Sequence, residues 1–365
     1  MINKKIGVMT FHNVYNYGGM LQAYALIYAL NSKGAVCIDY IQEDREKHYN
    51  VIFSKDYSLK HNLKNFVKKI ILKENEAKNN AFKLFMKEYL PITNSRYSSS
   101  DDLDKLNDEF DVLISGSDQI WNPIFSGGAI DLNYLLEFSD KTKKVAYGSS
   151  AGSYLFSELE KETLANSLNK FQHIGVREAF LQEQLNSSVQ KKIATVLDPT
   201  LLLRAGDWRK ISKPMNIKDD YVLLYSFDNN ESCLKIANIV AKKLKCKVLT
   251  ICPKLFNNKG TDIQLKAVGP REFIWLFENS KFVVTNSFHG TCFSVNFRKN
   301  FFSIYKKSNP YRVLGLLDSI GLSGRIVKEV NGINSINWQI DYNSIEDRIE
   351  EVVSFSNDFL AKSIK

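Results

Sequence analysis

Apolar residues follow two rhythms along this chain: short unbroken runs, and longer stretches spaced to fill one face of a helix. The two alternate from end to end. Lys5 to Phe11 reads as a strand and Gly18 to Ser32 as a helix, with Leu21, Tyr24, Ala25, Tyr28 and Ala29 on one face and Gly34 as its stop. Val36 to Tyr40 then completes a β-α-β opening. Strands are expected again at Asp111 to Ser115, Lys144 to Tyr147 and His173 to Arg177, with helices at Glu158 to Phe171 and Glu178 to Leu185. A second series follows Pro199. Its strands are Tyr221 to Phe227, Lys247 to Cys252, Phe282 to Thr285 and Phe301 to Tyr305. Its helices are Glu231 to Leu244, Pro270 to Asn279, Phe288 to Arg298 and Tyr311 to Ile320. Ile345 to Ser363 forms a last amphipathic helix, acidic early and basic late as the helix dipole favours. The pattern is that of an α/β protein: one unit over residues 1–200, a second over 201–340, and a C-terminal helix over 341–365.

Between the second and third expected strands lies Lys55 to Leu90, rich in lysine and interleaved with Leu59, Leu63, Phe66, Ile70, Phe82, Phe85 and Met86. It reads as a helical insertion with two roles open to it. Either it is an outer helical layer with solvated lysines, or its basic face lies on an anionic membrane as a peripheral contact. The net charge of +9 favours anionic partners in general without choosing among them. No zinc-finger spacing, aromatic RNA-binding motif or basic arm is present, so nucleic acid is not an expected partner. No window of about 18 uninterrupted apolar residues occurs, so no bilayer-spanning segment is expected. The basic start runs straight into strand-like sequence without a cleavage site, which points to a cytoplasmic protein, at most peripheral at the cytoplasmic face of the inner membrane. Cys37, Cys233, Cys246, Cys252 and Cys292 are scattered, with no ligand spacing, and read as reduced; no metal or cofactor is expected.

Candidate chemistry gathers where strands end. Val283 to Thr291 runs from an apolar strand into Asn286, Ser287, Phe288, His289, Gly290 and Thr291, placing an imidazole at a strand-to-helix junction. Unpaired NH groups of a first helical turn favour a phosphate or carboxylate, and Gly290 allows close approach of a ligand. His289 can serve there as acid or base, or be a hydrogen-bonded core histidine. After the first strand come Asn16, Tyr17, Gly18, Gly19 and Gln22, where glycine NH groups can face a ligand and the polar side chains can bond sugar hydroxyls. This is neither a dinucleotide fingerprint nor a P-loop. Gly116, Ser117, Asp118 and Trp121 follow another strand, and Ser149 another; in open parallel sheets such loops hold the ligand.

Taken in order, the Asn16 to Leu26 segment, the Gly116 to Pro123 loop, Val176-Arg177-Glu178, Leu197-Asp198-Pro199-Thr200 and Thr285 to Thr291 resemble the polysaccharide pyruvyl transferase family, roughly from Lys5 to Leu317. The resemblance implies two Rossmann-like domains arranged as in GT-B glycosyltransferases, with a catalytic cleft between them. It also implies transfer of the enolpyruvyl unit of phosphoenolpyruvate to a sugar, free or carried on a nucleotide or lipid-linked oligosaccharide, as a cyclic ketal in capsule or exopolysaccharide synthesis. Arg177 then falls where family members bind the donor, and His289 where they carry an essential histidine. Ser287 stands where many members have arginine, so one donor-binding charge is absent unless Lys306 or Lys307 replaces it. A nucleotide-sugar glycosyltransferase and a non-catalytic glycan-binding relative are the competing readings.

Overall fold

The computed structural model describes residues 4–30, 34–41, 62–226, 230–251, 260–308 and 310–365. They form two wholly parallel sheets flanked by helices. The first has seven strands, β1 (Ile6–Met9), β2 (Ala35–Tyr40), β3 (Ile92–Tyr97), β4 (Val112–Ser115), β5 (Lys143–Ser149), β6 (His173–Val176) and β7 (Ile193–Thr195), in the order β3-β2-β1-β4-β5-β6-β7. The second has six, β8 (Tyr221–Tyr225), β9 (Lys247–Ile251), β10 (Ile263–Leu265), β11 (Phe282–Thr285), β12 (Phe301–Ile304) and β13 (Ile326–Val327), in the order β10-β9-β8-β11-β12-β13. Each is a Rossmann-like unit. Central strands such as β1, β4, β8, β11 and β12 are buried along their whole length, as expected where helices cover both faces of a parallel sheet. In both sheets the chain works outward to one edge and then returns to the other side of its first strand. That reversal opens a crevice at the carboxyl ends of β1 and β4, and of β8 and β11.

The two units share an aromatic seam. The helix Tyr17–Leu30 is buried nearly all round because it serves both. Its Tyr17 stacks on Phe273 of the second unit with centroids 4.4 Å apart, and its hydroxyl donates to the Val268 carbonyl at 2.8 Å. A helix over Ala205–Ile211, which the periodicity does not announce, drives Trp208 between Tyr24 and Phe293.

The lysine-rich stretch is one long helix, Asn62–Tyr89. Its Phe82 and Phe85 are buried against Tyr17 and Tyr24, and Lys78 is buried with its ammonium 5.2 Å from the Tyr17 ring centroid. Phe82 and Phe85, the C-terminal part of the apolar stripe described above, are thus used for packing at the seam, where aromatic surface is removed from water against other rings. Residues 55–61 of that stretch, together with Phe227 and Cys252, lie outside the described residues.

The last helix, Glu346–Ser363, returns to the first unit. The Leu197 NH donates to Ser356 Oγ at 3.0 Å, and Phe359 covers Gly175 so closely that a Cβ there would come within 2.7 Å of its ring. Residues from the far end of the chain therefore complete the first unit. Among the described residues, no helix is long and apolar enough to cross a membrane.

Candidate functional site

Between the units lies a cleft of about 610 Å³. Loops that leave the carboxyl ends of β1, β4 and β5 supply one wall, including Asn16, Asp118, Gln119, Asn122 and Tyr154. Loops and helix starts after β11 and β12 supply the other, including Asn286, Ser287, His289, Lys306 and Arg312.

The junction after β11 is built from its own side chains. Thr285 Oγ1 donates to the Tyr225 carbonyl and accepts from the Ser287 NH; Ser287 Oγ then accepts from the Gly290 NH at 3.2 Å and caps the helix Phe288–Asn296. A serine at 287 thus performs a capping task that an arginine side chain cannot. Gly290 is required for packing: a Cβ would lie 2.3 Å from Thr285 Oγ1. Thr291 is buried and bonded to Ser303 and to the Ser287 carbonyl, so it braces the helix and does not face the cleft.

This arrangement sets His289 in the first helical turn at the cleft floor. Its Nε2 lies 3.4 Å from Asp198 Oδ2, an ion-pair distance without hydrogen-bond alignment. The Asp198 carboxylate divides its oxygens. Oδ1 accepts from the Thr200 NH and hydroxyl, while Oδ2 faces Arg177 Nη1 at 2.7 Å and His289. Burial alone would raise this carboxyl, but His289, Arg177 and Thr200 outweigh it and hold it well below the usual carboxylate range.

Arg177 departs from its expected place. Its side chain is 1% exposed and does not line the cleft. The guanidinium is engaged by Asp198, by Glu178 at 3.1 Å, by Ser150 at 3.2 Å and by Asp118 at 3.5 Å. With acceptors on every side it is saturated, so it works beneath the cleft, holding Asp198, and is not open to a substrate carboxylate or phosphate. Burial pushes the Glu178 carboxyl up against the pull of Arg177 and Arg312, and its Oε2 has no hydrogen-bond partner among the described residues.

The remaining expected residues divide the same way. Asn16 lines the cleft, and its Oδ1 caps the helix Tyr17–Leu30 by accepting from the Gly19 NH at 3.2 Å. Asp118 lines it too, with a left-handed φ of 72°, a strained conformation for a residue that has a Cβ. Tyr17 belongs to the seam. Gln22 binds Thr10 Oγ1 and the Phe11 and Gly19 carbonyls, fixing the loop from within. Ser117 bonds inward to Asp198, Trp121 is fully buried with Nε1 on Ser115, and Ser149 bonds to the Ser115 carbonyl; these three are scaffold. At Gly116 a Cβ would press on Thr10 at 2.9 Å, and at Gly19 on Val14 at 2.7 Å, so both glycines serve packing. Gln119, Asn122, Tyr154, Lys306 and Arg312 also line the cleft; of these only Lys306 is singled out by the sequence. Arg312 sits just inside a helix start after β12, the same kind of position that marked His289.

Gly18 has a specific duty. A Cβ there would lie 2.0 Å from His289 Nδ1, so only glycine lets the imidazole seat against the helix start. Gly18→Ala should therefore lower turnover at least about tenfold, as expected when a reacting group is displaced by about 1 Å. Circular dichroism should still report a folded chain; an alanine variant with wild-type rate would show that the imidazole position is not critical.

No metal-holding group of three or more His, Cys, Asp or Glu side chains occurs among the described residues. With the geometry established, comparison with known proteins decides the family. The polysaccharide pyruvyl transferase family model matches residues 16–308. The chain belongs to this family. No curated protein sequence matches it. Solved structures share the fold at low identity. A UDP-N-acetylglucosamine 2-epimerase from Rickettsia bellii is 12% identical, with TM-score 0.53, covering 99% of this chain and 96% of the other. A putative UDP-N-acetylglucosamine 2-epimerase from Listeria monocytogenes is 10% identical, with TM-score 0.50, covering 98% and 94%. These likenesses speak to the GT-B arrangement of the two units; in this chain His289 of the second unit meets Asp198 of the first at the floor of the cleft.

Proposed function

We propose that the protein transfers the enolpyruvyl unit of phosphoenolpyruvate to two hydroxyls of a sugar, forming a cyclic pyruvate ketal and releasing phosphate. The observation that carries this reading is His289, in the first turn of a helix at the cleft floor, backed by Asp198 and belonging to the wall that also bears Arg312 and Lys306. A donor with a carboxylate and a phosphate suits a helix N-terminus flanked by cations.

With Nε2 directed at Asp198, Nδ1 is the nitrogen left to serve the ligand. A proton from it adds to the methylene carbon of the donor, making that carbon a methyl group and its neighbour electron-deficient. One sugar hydroxyl attacks the neighbour and gives up its proton, for which Asp118 is the carboxylate in the cleft wall. The carbon–oxygen bond to phosphate breaks, phosphate leaves with one proton, and the second hydroxyl closes the ring as its own proton returns to the histidine. Donor and diol thus become ketal and hydrogen phosphate with charge conserved.

The mouth of the cleft speaks to the acceptor. Ile124 and Leu155 line it while remaining 59% and 74% exposed, an apolar lip suited to an acceptor with a hydrocarbon portion. This favours a lipid-linked sugar over a nucleotide-linked one, used at a membrane surface during polysaccharide assembly.

The test is incubation with phosphoenolpyruvate and a panel of galactosides, free, nucleotide-linked and lipid-linked, read by mass spectrometry for the ketal and by phosphate assay. Ketal and phosphate should appear in equal amounts, best with the lipid-linked acceptor. Epimerisation or glycosyl transfer from a nucleotide sugar, with no ketal from any acceptor, would overturn the reading.

A further inference from the structure

At the edge of the cleft the units touch through one aromatic pair. Phe180, on the helix Ala179–Leu185 of the first unit, and Tyr311, which opens the helix Tyr311–Ser319 of the second, stack with centroids 3.9 Å apart and planes 10° from parallel. The pair is not core, for Tyr311 is 42% exposed. Its place in the chain gives it meaning. Tyr311 adjoins Arg312, whose guanidinium carbon lies 5.3 Å from the Phe288 ring centroid beside the catalytic histidine. Phe180 closely follows Arg177, whose guanidinium carbon lies 4.8 Å from the same ring. The stack therefore pins the turn that carries Arg312 to the element that carries the buried ion cluster.

We propose that Phe180 and Tyr311 form an interdomain clasp that positions Arg312 at the anion-binding end of the cleft, so that clasp formation and donor binding are coupled. This rests on the reading of Arg312 as a donor-binding residue. A half-exposed ring pair adds little to folding, but it restricts the swing of one helix start relative to the facing wall. Coupling of this kind is reciprocal: a bound donor holds the clasp, and the clasp holds the donor. Tyr311 and Phe180 are then positioning residues, acting through Arg312 without touching substrate.

The experiment measures phosphoenolpyruvate affinity by titration calorimetry, and the donor KM and kcat, for the full chain with Tyr311→Ala, Tyr311→Phe, Phe180→Ala, the double alanine variant and Arg312→Ala. Each single alanine variant of the pair should weaken donor binding about tenfold, with kcat changed less than about twofold. Tyr311→Phe keeps the ring and should restore affinity, and the double variant should be no weaker than either single one. Wild-type affinity in both alanine variants, with loss in Arg312→Ala, would overturn the clasp and leave the donor site standing. Unchanged affinity in Arg312→Ala would overturn the donor-site reading and the clasp with it. Phe180→Leu, which keeps an apolar side chain, provides a folded comparison if Phe180→Ala melts early; it too should lose affinity, and full affinity there would count against the stack.

Discussion

Asparagine in place of His289 should remove turnover, lowering the rate by about 10² to 10⁴, while the melting temperature moves little. Asparagine keeps the approximate size and can still meet Asp198, but it cannot carry a proton near neutral pH. Asp198 does not depend on the imidazole alone, since Arg177 and the Thr200 NH and hydroxyl hold it independently. The fold therefore has no reason to fail. Single-turnover ketal formation across roughly pH 5 to 9 checks this. A variant that kept more than about a tenth of the wild-type rate, with the same pH profile, would make His289 structural.

The second large effect concerns stability. Arg177→Met should destabilise the protein by about 3–5 kcal/mol, because it removes the guanidinium from among buried carboxylates and leaves them uncompensated. In the wild type the Asp198 carboxyl is held below its ordinary range, so its stabilising contribution is complete above about pH 4 and is lost as pH falls below that. Without Arg177 the burial that already raises Glu178 loses its main opposition and raises that carboxyl further, while His289 and Thr200 still hold Asp198 down. The folded variant then holds more protons at Glu178 than the wild type does, so its stability should fall more steeply than the wild type's as pH rises from about 5 to 8. Melting curves across that range are the measurement. An undiminished melting temperature with only a raised donor KM would instead return Arg177 to the donor site.

How far the sequence reaches can be seen strand by strand. All nine strands expected from apolar runs exist, and they are the interior strands of the two sheets; the four without a signal, β3, β7, β10 and β13, are the four edges. The reason is physical. An interior strand is buried on both faces and must be apolar throughout, while an edge strand such as β3, Ile92-Thr93-Asn94-Ser95-Arg96-Tyr97, is half exposed and carries no such run. The site was legible as a set of loops but not as a set of orientations. Asn16, Asp118, Asn286, Ser287 and His289 do line the cleft, yet Trp121, Ser149 and Thr291 from the same motifs point inward. Nothing local distinguishes a guanidinium that waits for a ligand from one already claimed by Asp198 and Glu178. Asp198 shows the converse. In sequence it is punctuation before Pro199, and only the approach of the second unit makes it the partner of His289.

The return of the last helix has a consequence for cutting the chain. A fragment ending near residue 200 lacks the Phe359 cover over Gly175, and a fragment beginning there keeps the bonds of Glu346 and Arg348 to the second unit but leaves Phe359 and Ser356 without the surface they cover. Halves made at that midpoint should each be defective. A workable two-piece enzyme would join residues 341–365 to residues 4–200 through a flexible linker and supply residues 201–340 separately. Asp198 would then be on one polypeptide and His289 on the other, so that catalysis would report, with almost no background, whether the two pieces had met.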